Sequence, residues 1–222
     1  MNTYSKTDIQ THVERIVREV VDSVLASQQA FRIPIGISAR HLHITQEDLE
    51  KLFGPGYHLT NMKDLPQEGE FAANETVSVI GPNRRIIEKV RILGDIRNIT
   101  QIELAYSDGI YLGMKLPHRL SGDIKDSSPF TIVGPEGALY LKEGAIRAMR
   151  HIHMNPETAL QFGVKDGQKV SVKTFGEMSV TFNNVVIRVK ERLNLFMHID
   201  TDEANAAGLT SKNAYGVIVK EN

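Results

Sequence analysis

Between Ile9 and Leu25 the apolar residues Ile9, Val13, Ile16, Val17, Val20, Val21, Val24 and Leu25 return every three or four positions. That spacing draws one stripe along an α-helix, and Ser5 with Asp8 supplies a capping signal at its start. With the polar stretch SQQA after it, the segment 1–28 reads as an amphipathic helix and linker. From Phe31 the period changes. FRIPIGIS, ETVSVIG, KVRILG, TQIELAYS, KVSVKTF, VVIRV and LNLFMHID are short, rich in β-branched residues and frequently alternating. Gly, Pro, Asn and Asp punctuate them, as expected of strands and turns. Helical patterns in the body are brief: Gln46–Phe53, Ala138–Arg147, Pro156–Gly163 and Asp202–Ala207. The long crossover helices of a parallel α/β sheet are missing. The expectation is a mainly β protein of small barrels capped by short helices.

An internal repeat divides the body. ARHLHITQEDLEKLFGPG aligns with MRHIHMNPETALQFGVKDG, and in each copy a helix start follows the histidines. Thr45 with Asp48 marks the first start, and Asn155 with Pro156 marks the second. Further on, ETVSVIG and EKVRILGD parallel QKVSVKTFG and NVVIRVKE. Two related β-barrels follow from this duplication.

Composition narrows the chemistry. The 222 residues carry a net charge of −1, which gives no global sign of nucleic-acid or membrane binding. Any polyanionic ligand must be met by a local cluster of cations. With no cysteine there is no disulfide, thiolate metal site or Cys nucleophile. No apolar run approaches membrane-span length, and the N-terminal segment has no secretory apolar core.

Four of the eight histidines fall in two copies of Arg-His-apolar-His, RHLH at Arg40–His43 and RHIH at Arg150–His153. On a strand, residues i and i+2 share a face, so His41 converges with His43 and His151 with His153. Two imidazoles on one face can share a divalent ion, and a further ligand must come from another strand. His198 in FMHID, with Asp200 on the same face, and Glu103 in QIEL are the candidates. The competing reading is a pair of half-buried histidines satisfied by backbone carbonyls. His12, His58 and His118 lack a partner at ligand spacing and read as surface residues. Asp200 precedes a short helix whose expected cap is Thr201.

No Gly-x-Ser-x-Gly, His-Glu-x-x-His or Walker-type motif is present, so a covalent serine mechanism has nothing to rest on. Among the cations of NRRIIEKVRILGDIRN, Arg97 stands in a turn six residues before Glu103 and is placed near the metal. Its guanidinium suits bidentate phosphate recognition. Arg119, Lys125 and Ser127 in LPHRLSGDIKDSSP form a candidate nucleotide-binding edge. Ser38 and Arg40 complete the candidate substrate contacts.

GISARHLHIT, KVRILGDIRNITQIEL, RLSGD, RHIHMNPETAL and MHIDTDEANAAG resemble the microcompartment-type phosphate acyltransferases, the phosphate propanoyltransferase family and its acetyl-specific relatives, over residues 31–222. The resemblance implies a pair of β-barrels that interconvert acyl-coenzyme A plus phosphate with acyl phosphate plus coenzyme A. It implies two zinc ions, one on His41, His43 and Glu103 and one on His151, His153 and His198, with Arg97 as the active-site arginine. It further implies domains of 40–149 and of 30–39 with 150–222, and a homo-oligomer, expected as a dimer. An N-terminal helix of this kind docks relatives onto microcompartment shell or cargo proteins, which implies a cytoplasmic location inside a bacterial microcompartment. A dinuclear zinc thioester hydrolase and a non-catalytic, metal-stabilised binding module are the alternatives.

Overall fold

The computed structural model describes residues 12–19, 31–210, 212 and 214–219. A helix, α1 (12–19), precedes the body and leaves Val13, Ile16 and Val17 exposed. The rest of the expected helix and linker lies outside the described residues. The first repeat runs β1 (Ile33–Ser38), β2 (His41–His43), α2 (Gln46–Phe53), β3 (Asn61–Asp64), β4 (Phe71–Ile80), β5 (Ile86–Gly94), β6 (Gln101–Glu103), α3 (Tyr106–Leu112), β7 (His118–Arg119) and β8 (Ser128–Val133). The second runs β9 (Ala138–Ala148), β10 (His151–Met154), α4 (Pro156–Phe162), β11 (Lys169–Thr174), β12 (Thr181–Val189), β13 (Phe196–Asp200), α5 (Thr201–Ala206) and β14 (Tyr215–Val219).

The strands close into two six-stranded barrels, so the expected mainly β, twin-barrel architecture is what the chain forms. In one, β2 pairs parallel with β5 and antiparallel with β6, and β4, β8 and β9 complete the ring. In the other, β10 pairs parallel with β12 and antiparallel with β13, and β11, β14 and β1 complete it. Sequence of pairing and sense match strand for strand. The repeats are nonetheless interlocked: β1 opens the first repeat but closes the second repeat's barrel, and β9 does the reverse. The chain therefore crosses from barrel to barrel twice, at Ser38–His41 and at Ala148–His151.

Each barrel has its own apolar core. Leu42, Ile92, Ile102, Phe130 and Ile132 fill the first, and Ile33, Ile152, Val172, Ile187 and Met197 fill the second. Leu42 and Ile152 are the residues between the paired histidines, fully buried on the core side. They anchor each strand by its apolar face and turn both histidines to the other.

The helix starts follow local chemistry. Thr45 accepts from Asp48 N at 3.1 Å, and Asn155 accepts from Thr158 N at 2.8 Å with Pro156 at the first helical position. The cap of α5 is Asp200, not Thr201; its carboxylate accepts from Glu203 N at 2.8 Å while Glu203 accepts from Asp200 N at 2.9 Å. The expected helix at Ala138–Arg147 is instead strand β9. Leu139 and Leu141 turn inward and Tyr140 and Lys142 outward, a period of two that pairing with β8 and β6 enforces. The expected strand TQIELAYS stops at Glu103, and α3 begins at Tyr106.

Candidate active site at the barrel junction

The two crossings bring the histidine strands together. His41, His43 and Glu103 form one trio and His151, His153 and His198 another, each offering ligand atoms within 4.8 Å of one another. The third members come from equivalent positions: Glu103 stands opposite His41 on β6, as His198 stands opposite His151 on β13. A cleft is lined by Ser38, His41, Glu103, His151, His198 and Asp200, with members of both trios on its wall. Gly36 lies opposite His198 on β1, where a Cβ would stand 2.2 Å from the Phe196 ring that packs on His198.

Both leading histidines are oriented by their own main chain. His41 Nδ1 is 2.8 Å from Ala39 O, and His151 Nδ1 is 2.7 Å from Met149 O. A carbonyl can only accept, so Nδ1 carries a proton and Nε2, whose lone pair is free when the ring is neutral, is left for another partner. In His41 that Nε2 lies 3.4 Å from Glu103 Oε2, and His43 Nε2 lies 3.9 Å from Glu103 Oε1. Buried His43 Nδ1, His153 Nδ1 and His198 Nε2 have no hydrogen-bond partner among the described residues. Such atoms are costly to leave unpaired. Three converging imidazoles suit a borderline cation such as zinc, and the carboxylate of the other trio adds a harder oxygen donor.

Burial keeps most of these rings neutral. It pulls His151 below the usual imidazole range, and it holds His153 near 2 and His198 near 3, with the neighbouring His151 charge acting in the same sense. His43 is held near 3 by burial first and by the His41 charge second. His41 is the exception. Burial pulls it down, but the Glu103 charge and hydrogen bond outweigh this and raise it. Glu103 is lowered in return, because His41 outweighs the cost of burying its charge.

Arg97 is held beside this trio by a main-chain bond from its N–H to Ile44 O at 2.9 Å. Its guanidinium pairs with Glu70 at 2.5 Å. Glu70 belongs to a turn anchored on the other barrel, where Gln67 accepts from Asn194 N at 3.2 Å. Ser38 Oγ lies in the cleft, 3.5 Å from His198 Nδ1. The remaining candidates are engaged elsewhere. Arg40 pairs with Asp108 at 2.9 Å and Arg119 with Asp123 at 2.9 Å. Buried Ser127 accepts from Gly144 N at 2.7 Å and donates to Ile124 O at 2.6 Å. His12 and His58 are exposed, but His118 is half-buried and pulled down to about 4 by burial and then by Arg147 and Arg150.

Sequence reasoning missed two supports of the site. Gln101 donates to Glu103 Oε1 at 2.8 Å, from the strand position two residues earlier on the same face. Asp108 and Glu203 receive the arginines that precede the two histidine pairs. A glutamine inside an apolar strand is the one sequence signal that could have flagged the first.

Fold and site together define an interlocked twin-barrel protein with two matched sets of metal-type donors on a shared cleft. The phosphate propanoyltransferase family model matches residues 34–210. The phosphate propanoyltransferase of Lachnoclostridium phytofermentans is 52% identical over 89% of this chain and 92% of its own. That of Priestia megaterium is 50% identical over 93% and 94%, and that of Thermotoga maritima 48% over 81% and 85%. The chain belongs to the phosphate propanoyltransferase family and is an acyltransferase.

Proposed function

We propose that the protein interconverts a short-chain acyl-coenzyme A, propanoyl or acetyl, and phosphate with acyl phosphate and coenzyme A, using two zinc ions held by the two trios. The observation that carries this reading is the meeting of members of both trios at one cleft, with the Arg97 charge acting on His43, in a chain whose relatives are named phosphate propanoyltransferases. The donor sets fit the metal: a carboxylate and five imidazoles, four of them kept neutral by burial and three with a buried ring nitrogen that has no partner among the described residues. When bound, zinc would supply Lewis-acid polarisation of the thioester carbonyl and neutralise phosphate charge.

The chain's own groups do the positioning. Arg97 takes phosphate through its two-pronged guanidinium, and Glu70 yields the pair when the dianion arrives. A phosphate oxygen bonds to the acyl carbon, the C–S bond breaks, and coenzyme A leaves as its thiolate. No acyl-enzyme is needed. Ser38, Arg40, Arg119 and Ser127 remain proposed substrate contacts; of these, Ser38 has the most direct support, since it lines the cleft.

Two further readings belong to this proposal. The domains are 40–149 and 30–39 with 150–222. The segment 1–28 docks the enzyme, as a homodimer, onto shell or cargo proteins inside a cytoplasmic microcompartment; the uncovered Val13, Ile16 and Val17 on α1 support it. No described helix is long and apolar enough to cross a membrane.

The test is thiol release from acetyl-, propanoyl- and butanoyl-coenzyme A, with and without phosphate, for the zinc-loaded protein and His153→Ala. Phosphate-dependent release that falls sharply in the variant is expected. Release independent of phosphate would make the protein a hydrolase, and an unchanged rate in His153→Ala would overturn the two-metal reading.

A further inference from the structure

The third members of the two trios occupy the same place in their repeats but are held by different neighbours. Two positions before Glu103 and His198 stand Gln101 and Phe196, opposite His43 and His153. Phe196 offers His198 only an aromatic edge, with ring centres 5.2 Å apart. Gln101 is 2% exposed and fully engaged. Its Nε2 donates to Glu103 Oε1 at 2.8 Å and to Ser121 Oγ at 2.7 Å, while its Oε1 accepts from Gly122 N–H at 2.8 Å. A backbone N–H can only donate, so the amide has one orientation, and that orientation aims Nε2 at the carboxylate. Ser121 and Gly122 lie in the turn after β7. The second repeat has neither this turn nor a β7 equivalent among its described residues; its chain runs from α5 to β14.

We infer that Gln101 is a positioning residue that locks Glu103, so that His41, His43 and Glu103 form the tighter of two unequal metal sites. This rests on the reading that both trios take zinc. A carboxylate already fixed by a buried amide loses little freedom when an ion arrives. It also brings a negative charge that the all-histidine trio lacks. In the trio His151, His153 and His198, the third member has for side-chain neighbours of this kind, among the described residues, Ser38 Oγ at 3.5 Å and the Phe196 ring edge. That trio fills second and exchanges its ion more readily.

The test is a zinc titration of the chelator-stripped protein against a chromophoric competitor, with total zinc counted at saturation. Wild type should take two ions in two separable phases, and His153→Ala should remove the weaker one. Gln101→Met keeps the length of the side chain without its amide. It should weaken the tighter phase about 10- to 100-fold and leave the weaker phase where it was. Ser121→Ala, in the surface turn, should act in the same direction by less, and it serves if Gln101→Met does not fold. A tight phase unmoved in both variants, or two phases weakened equally by Gln101→Met, would overturn the inference. Fewer than two ions on the wild type would instead overturn the two-zinc reading beneath it.

Discussion

At His41 the balance of two opposing effects decides the charge of the site. Burial alone would keep the ring neutral, as it does for His43, His151, His153 and His198. The Glu103 carboxylate 3.4 Å away reverses that for His41 alone. Replacing Glu103 by Gln keeps the shape but removes the charge. In the metal-free protein, His41 should then drop from above the usual imidazole range to below it. Ring-proton NMR titration of wild type and Glu103→Gln measures this directly; a His41 that titrates alike in both would show that Glu103 is not the cause. The histidine pair of the trio was legible in the sequence, because side chains at i and i+2 of a strand share one face; that Glu103 joins it was implied only by the family resemblance. Gln101 was not, because its role depends on a turn some twenty residues downstream that nothing local announces.

The helices that follow β6 and β13 are tied back to the histidine strands by one device used twice. Arg40 reaches Asp108 at the third position of α3, and Arg150 reaches Glu203 at the third position of α5. The sequence displayed both arginines but not their partners, since the pairs join residues far apart in the chain. Arg150→Met should leave the largely buried Glu203 without its cation, while Asp200 N–H still donates to it. The expected loss is about 1–3 kcal/mol in urea unfolding at pH 7. The Glu203 carboxyl is already raised, by burial first and by the Asp200 charge. As pH falls through its folded-state pKa it protonates, the unpaired charge disappears, and the gap between variant and wild type should close. A gap that is constant with pH would point to lost packing against Phe182, over which Arg150 lies at 5.3 Å, as the cause. Element type was harder to read than the site. Ala, Leu, Lys and Glu in ALYLKEGAIRA favour a helix locally, yet pairing on two sides makes them strand β9.

At the scale of the molecule, the exchange of β1 and β9 places the histidines of both trios where the barrels join. Their protonation is therefore a property of the whole fold. The twin barrels followed from the repeat, whereas the interlock did not, because a sequence repeat cannot say which copy a strand will close. In the unfolded chain every imidazole takes up a proton near pH 6.5. In the folded, metal-free chain His43 and His198 resist until about 3 and His153 until about 2. Between these limits the unfolded state binds more protons, so stability must fall as pH falls below 6.5. Glu103, lowered in the folded state, adds to the loss once pH drops through the carboxylate range. His41 is raised, so its contribution is full below 6.5 and lost as pH climbs through its folded value; among the described residues one such ring opposes five of the other kind, His118 included. The expected outcome, for protein kept free of metal by a chelator, is a urea midpoint that declines steadily from pH 7 to pH 4. His153→Ala removes the ring held lowest, and its decline should be shallower than that of the wild type. A midpoint that is flat across that range, or a variant that declines in parallel with the wild type, would mean that the junction relaxes to admit protons. The neutral imidazoles would then be no fixed feature of the barrel junction.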